Sequence, residues 1–276
     1  MGETFDAIPD RFVAWILKQH VFWVATAPLT ADGHVNVSPK GIEGSFRIVN
    51  ANKVWYEDLS GSGNETIAHL RENGRITILF NAFEGPPRIV RMLGKGTYHE
   101  YGTPEYDEYL PAELRTPGSR GVVVINVHRV GSSCGYAVPF YEYKAHRTKL
   151  VDMSVKMECI DRDAETSAEG PFDTPPRPAG GLKAYWNDIN HFSIDGLPGQ
   201  VESIQSTKVF PVPGPASLTK FKSTTGGDKS DLQMSKPRGH VGALSSWKGD
   251  ARSMLALGFS AGFLAAAVSM KLMNGF

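Results

Sequence analysis

A glycine-rich turn directly before a predicted helix is the first segment that could do chemistry. Residues 60–66 read Ser-Gly-Ser-Gly-Asn-Glu-Thr, and a helix is predicted over 65–73. Glycines let the backbone approach a ligand closely, and the free N–H groups at a helix start favour a phosphate. Asn64 and Thr66 would add side-chain donors. The alternative is an ordinary capped turn, with Asn64 as the N-cap.

A second candidate lies at the end of a strand predicted over 34–39. The segment reads Ser38-Pro39-Lys40-Gly41. Lys40 would neutralise a phosphate, and Ser38 would donate a hydroxyl hydrogen bond to it. The alternative is a strand end whose lysine points into solvent.

Four basic residues lie in or beside two successive predicted strands: Arg75, Arg88, Arg91 and Lys95. Arg91 stands between two apolar neighbours, and a charge inside a strand needs either a partner or the open face of the sheet. An anionic ligand is one possible partner. A solvated face or Glu84 is the alternative.

Other chemistry is disfavoured. Cys134 lies between serine and glycine, but no base stands near it in sequence, and we expect a buried structural cysteine. Two cysteines cannot form a disulfide framework. The eight histidines show no metal-binding spacing, so the sequence predicts no metal site.

Composition indicates a turn-rich β protein. The 276 residues include 29 glycines and 18 prolines, and the formal net charge is zero. Balanced charge removes any overall electrostatic attraction to nucleic acid. Seven short strands are predicted, at 20–27, 34–39, 45–50, 53–57, 75–82, 88–99 and 120–130. Helices are predicted at 9–19, 65–73, 104–114 and 180–190, and the fold class is a mainly β, antiparallel barrel or sandwich.

The C-terminal part of the sequence differs from the rest. Residues 160–180 are polar with several prolines and are interpreted as a loop, and 201–250 are interpreted as a flexible linker. An uncharged, largely apolar run at 253–270, within a helix predicted over 251–276, has the length of a short membrane span. We expect no secretory signal, and a cytosol-facing protein with this tail as an anchor in an intracellular membrane. The alternatives are a tail helix docked on the barrel or lying in a membrane interface, and a cytoplasmic protein.

Three segments, taken in their order along the chain, form a specific sequence pattern: 36–41 (NVSPKG), 61–75 (GSGNETIAHLRENGR) and 83–89 (FEGPPRI). They resemble the pyridoxamine 5′-phosphate oxidase-like family of flavin-binding split barrels, over about residues 5–200. The resemblance implies a six-stranded antiparallel split barrel over 1–200 with a few peripheral helices. It also implies a homodimer that holds FMN in a cleft between subunits. The cofactor-binding residues it implies are Ser38, Lys40, Ser62, Asn64, Thr66 and Arg91.

The function that the resemblance implies is an FMN-dependent oxidoreductase acting on a small-molecule substrate or electron donor. A non-catalytic flavin- or haem-binding module is the alternative. The substrate and the catalytic residues are not readable from the sequence. The aromatic run Tyr136 to Tyr143 is a candidate dimer surface, with simple core packing as its alternative.

Overall fold

The computed structural model describes residues 2–167 and 176–214. The strands are β1 (Glu3–Phe5), β2 (Phe22–Thr26), β3 (Asn36–Lys40), β4 (Phe46–Asn50), β5 (Lys53–Leu59), β6 (Arg75–Asn81), β7 (Ile89–Glu100) and β8 (Ser119–Ser133). The helices are α1 (Asp10–Leu17), α2 (Glu65–Glu72), α3 (Pro104–Tyr109), α4 (Lys149–Ser167), α5 (Leu182–Ile189) and α6 (Glu202–Gln205).

The strands of the described residues form one antiparallel sheet in the order β3-β2-β6-β7-β8-β5-β4, with β1 paired to the end of β8. The mainly β, antiparallel prediction is therefore confirmed. The sheet has eight strands, against the six that the resemblance implies. β1 escaped the sequence analysis because it is three residues long, too short for any alternation of apolar and polar side chains to show.

The first half of strand β8 is buried on both faces, and it includes the uninterrupted apolar run Val122 to Ile125. Val123 and Ile125 pack into a first core against the sheet and α1. Val122 and Val124 alternate with them and pack into a second core, where side chains of α3, α5 and α6 meet. The sheet thus has packed layers on both sides of its longest strand.

The second core includes a helix that the sequence analysis missed. α4 begins in a stretch for which no helix or strand was predicted, and it continues through the first part of the predicted loop at 160–180. Its buried positions recur every three or four residues, as on one helix face, but most of them are polar: Val151, Ser154, Glu158, Asp161 and Glu165. A search for apolar periodicity cannot find such a helix.

The described part of the predicted linker is packed. Within 201–214, residues 202–205 form α6, and both Ile204 and Phe210 are buried in the second core. Two apolar side chains anchor this stretch, so the packed chain extends past residue 200. The remainder of the linker and the predicted anchor helix at 251–276 lie outside the described residues. No helix within 2–167 and 176–214 is both long and apolar enough to cross a membrane.

Two predictions about the segment after β8 are decided by exposure. Cys134 is exposed, so the expectation of a buried structural cysteine is wrong. Tyr136 and Phe140 are 82% and 81% exposed, which rules out core packing as the role of their aromatic run within one chain. The run is thereby left as a surface feature.

Asp161 ties α4 to the start of α5. Its Oδ2 accepts the backbone N–H groups of Leu182 (2.6 Å) and Lys183 (3.1 Å), and the residue is fully buried. Burial raises the pKa of Asp161 to about 6, above the ordinary value of 3.8, although these hydrogen bonds and the Lys183 charge act in the opposite direction.

Replacing Asp161 by asparagine should make the free energy of unfolding depend less on pH between about pH 4 and 6. Between about pH 4 and 6 the folded protein holds a proton on Asp161 that the unfolded chain has lost, so the free energy of unfolding falls as pH rises through this window. The amide cannot ionise and still accepts a backbone hydrogen bond. Urea unfolding at pH 4 to 7 should show a smaller fall for Asp161→Asn than for wild type. Exposed Asp163→Asn is the control, and equal slopes for wild type and Asp161→Asn would refute the assignment.

Candidate functional site

A cavity of about 250 Å³ lies where the end of β3 meets the turn before α2. Its lining includes Ser38 and Lys40 from β3, Ser62 from the turn, and Thr66 from the first turn of α2. The structure therefore brings together four of the six residues that the sequence analysis assigned to cofactor binding. Hydroxyl groups and one ammonium group converge on a small space, which is a donor set suited to an anion.

The charge at this cavity is organised around Asp58, which is buried at the end of β5. Its Oδ1 is 2.8 Å from Lys40 Nζ, and its Oδ2 accepts a hydrogen bond of 2.9 Å from Arg120 Nε. Burial by itself would raise the pKa of Asp58, but the charges of Arg120 and Lys40 outweigh burial and lower it below its ordinary value. Two cations share one carboxylate, so the trio carries one net positive charge.

The two cations differ in their access to the cavity. The Lys40 side chain is 23% exposed, whereas that of Arg120 is 4% exposed. Arg120 also donates to the carbonyl oxygens of Gly61 (3.3 Å) and Gly63 (2.8 Å). Arg120 therefore holds the glycine turn in place, and Lys40 is the cation whose ammonium group a ligand can reach.

Polar side chains connect the cavity to the interior. Asn36 Nδ2 donates to Thr66 Oγ1 (2.9 Å) and to Thr26 Oγ1 (3.3 Å), and Ser38 Oγ donates to Asn36 Oδ1 (3.0 Å). Thr26 Oγ1 lies 2.9 Å from Nδ1 of the buried His69. Burial lowers the pKa of His69, so its ring is neutral at pH 7. This chain fixes the rotamers of the two cavity hydroxyls on Ser38 and Thr66.

Asn64 does not lie in the cavity lining. It is almost fully buried, its side-chain oxygen and nitrogen have no hydrogen-bond partner among the described residues, and it makes no side-chain cap to α2. Asn64 occupies the N-cap position of α2, as the alternative expected, but its side chain makes no cap hydrogen bond. The side chain packs instead against Gly199.

Arg91 lies apart from the cavity. Ser38 of β3 is paired with Val24 of β2. Arg91 is paired with Leu79, and Leu79 is paired with Trp23, the neighbour of Val24 in β2. Adjacent residues of a strand project to opposite faces of the sheet, so Arg91 is on the other face from Ser38 and Lys40. It is exposed, 3.4 Å from Ser133 Oγ. Within one chain Arg91 therefore lies on a solvated face of the sheet.

The sequence analysis missed Asp58 and Arg120. A signal was available, because Arg120 is a charge at the start of the most apolar strand and Asp58 directly follows a predicted strand. The reasoning applied to Arg91, that a charge within a strand needs a partner, applies equally to Arg120. The register of β5 with β8, which places Asp58 opposite Gly121, supplies that partner.

Comparison with known sequences now identifies the family. The family model described as pyridoxamine 5′-phosphate oxidase matches residues 8–134. A protein of Aspergillus flavus named "Pyridoxamine 5'-phosphate oxidase family protein ustO" is 36% identical over an alignment of 208 positions that covers 71% of this chain and 76% of that protein. The chain belongs to the pyridoxamine 5′-phosphate oxidase family. The family model ends at the last residues of β8, so helices α4 to α6 lie beyond it.

Solved structures similar to this family member include HupZ from Group A Streptococcus, which is 26% identical, with a TM-score of 0.37, over 45% of this chain and 91% of that one. A second is a protein from Listeria innocua described as a putative pyridoxamine 5′-phosphate oxidase. It is 12% identical, with a TM-score of 0.31, over 44% of this chain and 94% of that one.

Proposed function

We propose that this protein binds FMN, with the phosphate group in the cavity at Lys40, and that it acts as an FMN-dependent oxidoreductase. One observation carries the proposal: Lys40, three hydroxyl side chains and the glycine turn 61–63 line one cavity in a member of this family. A phosphate dianion accepts several hydrogen bonds and needs a cation, and this lining offers both.

The charges at the cavity single out Lys40 as the group for an anion to contact. The trio of Lys40, Asp58 and Arg120 has one net positive charge, and Lys40 is its accessible member. The Glu65 carboxylate, which also lines the cavity, offsets that charge, and its Oε2 accepts the backbone N–H of Asn64 at 2.9 Å. We therefore assign the phosphate to Lys40 and the hydroxyl groups of Ser62 and Thr66, and assign Arg120 to holding the turn.

The volume of the cavity limits what it can enclose. About 250 Å³ is less than the roughly 300–1,000 Å³ of pockets that surround a whole small molecule. The cavity fits the phosphate end of FMN, and the flavin ring system must then contact other surfaces. This agrees with the expectation of a homodimer in which both subunits surround the cofactor.

The exposed aromatic run 136–143 is our candidate for the dimer surface. We expect the full-length protein to sediment as a dimer, and Tyr136→Ser with Phe140→Ser to weaken the dimer by more than about tenfold. Burying each large apolar side chain is worth about 1.5–3 kcal/mol. Ile160→Ser, at an exposed apolar residue of α4, is the control. A wild-type monomer that still binds FMN would refute the shared site.

The bound flavin would supply hydride or electron transfer, which no amino-acid side chain provides. The residues of this chain would bind and orient it: Lys40 and the turn fix the phosphate, while Asn36 and His69 keep the cavity hydroxyls in place.

Mass spectrometry of the small molecule that co-purifies with the full-length protein tests the proposal. We expect FMN, with a flavin absorption spectrum that bleaches when NADH or NADPH is added in a stopped-flow instrument. Haem, identified by its Soret band, would refute FMN as the cofactor. Bound FMN that neither NADH nor NADPH reduces would favour the non-catalytic module.

A further inference from the structure

We propose that residues 182–200, comprising α5 and the loop after it and here called the α5 segment, fix the conformation of the turn 60–64 and thereby set the affinity of the cavity for flavin phosphate. This inference rests on the proposed function. It assigns a positioning role to a part of the chain that follows the family-matched region 8–134.

Two hydrogen bonds join the α5 segment to the turn. Trp186 Nε1 donates to Ser60 Oγ at 2.7 Å, and both residues are buried. Asn190 Nδ2 donates to the carbonyl oxygen of Gly61 at 2.8 Å. Arg120 binds the same carbonyl from the sheet side, so Gly61 is held between the sheet and the α5 segment.

A close steric contact forms a third connection. A Cβ atom added to Gly199 would lie 1.5 Å from Asn64 Nδ2 and 2.3 Å from its Cγ, far inside any permitted contact. Only glycine at 199 leaves room for Asn64. Asn64 stands between Gly63 and Glu65, which both line the cavity, so displacing Asn64 displaces part of the lining.

The α5 segment is itself anchored. Asp161 of α4 accepts the first backbone N–H groups of α5, and the buried Lys183 pairs with the buried Glu165 of α4. The Gly199 N–H donates to the carbonyl oxygen of His191 at 2.8 Å, which closes the loop on itself. An added methyl group at 199 therefore moves Asn64 and the turn more easily than it moves the α5 segment.

Gly199→Ala in the full-length protein tests the inference. We expect FMN binding, followed by flavin fluorescence, to weaken by about tenfold or more, the scale expected when a methyl group is forced into a close contact. Amide hydrogen exchange of the ligand-free variant should accelerate at 60–64. Gly131→Ala is the matched control, because a Cβ there meets nothing within 4 Å. The double variant Gly199→Ala with Asn64→Ala should recover binding, since the clashing atoms are gone.

Trp186→Phe provides a second variant should Gly199→Ala fail to fold. It keeps an aromatic side chain but removes the N–H donor to Ser60 together with the pyrrole part of the indole, and we expect weaker FMN binding together with faster exchange at 60–64. If wild type binds FMN and both foldable variants bind it equally well, the inference is wrong and the proposed function stands. If wild type binds no flavin, the proposed function fails and this inference fails with it.

Discussion

Replacing Glu158 by alanine is expected to lower the free energy of unfolding by about 3–5 kcal/mol, the usual cost of removing one partner of a buried ion pair. Glu158 Oε1 accepts from Arg115 Nη2 and from the backbone N–H of Gly118, each at 2.7 Å. Both charged side chains are almost completely buried. The variant leaves the guanidinium group of Arg115 without its carboxylate, in the core that holds α4 against the sheet.

Urea unfolding at pH 7 measures this loss. The control is Glu3→Ala, which breaks the ion pair with Arg11 on the surface, where both side chains are more than half exposed. That pair should contribute less than about 1 kcal/mol. A loss for Glu158→Ala as small as the loss for Glu3→Ala would contradict the packing of α4 described above.

Replacing Lys40 by alanine is expected to weaken FMN binding by about 10- to 150-fold, because a hydrogen bond to a charged group contributes about 1.5–3 kcal/mol. The fold should survive, since Arg120 remains as a buried partner for Asp58. Isothermal titration of the full-length variant with FMN measures the change.

Lys95→Ala is the matched control for this experiment. Lys95 is an exposed lysine of β7 that donates to the carbonyl oxygen of Asn73 and does not line the cavity. We expect its variant to bind FMN like wild type. Unchanged affinity for Lys40→Ala would show that the phosphate is held elsewhere.

The sequence was sufficient to single out four residues that line one cavity, because local structure places each of them: Ser38, Lys40, Ser62 and Thr66. The strand that ends at Lys40 and the turn that starts α2 are both marked by short-range signals, glycines and an apolar run. Their meeting at one cavity follows from the antiparallel pairing of β3 with β2 and the packing of α2 against β2. Arg91 lies apart from the other four within one chain because its face depends on register, which a sequence pattern alone does not fix.

The sequence was insufficient to predict those elements and site residues whose buried side chains are polar. α4 was missed because most of its buried face is polar: Ser154, Glu158, Asp161 and Glu165. The hydrogen-bond partners of the three carboxylates lie far away in the chain. Asp58 and Arg120 are 62 residues apart and meet only in the folded sheet. Such pairs depend on tertiary contacts, so apolar periodicity and turn chemistry do not reveal them.

Titration of the full-length protein with FMN and, separately, with riboflavin tests the central claim most directly. The two ligands differ only in the phosphate group, which we assign to the cavity at Lys40. The account predicts that FMN binds tighter than riboflavin by about tenfold or more, the minimum expected for a charge-assisted contact. Equal affinity for the two ligands, or no binding of either, would contradict it.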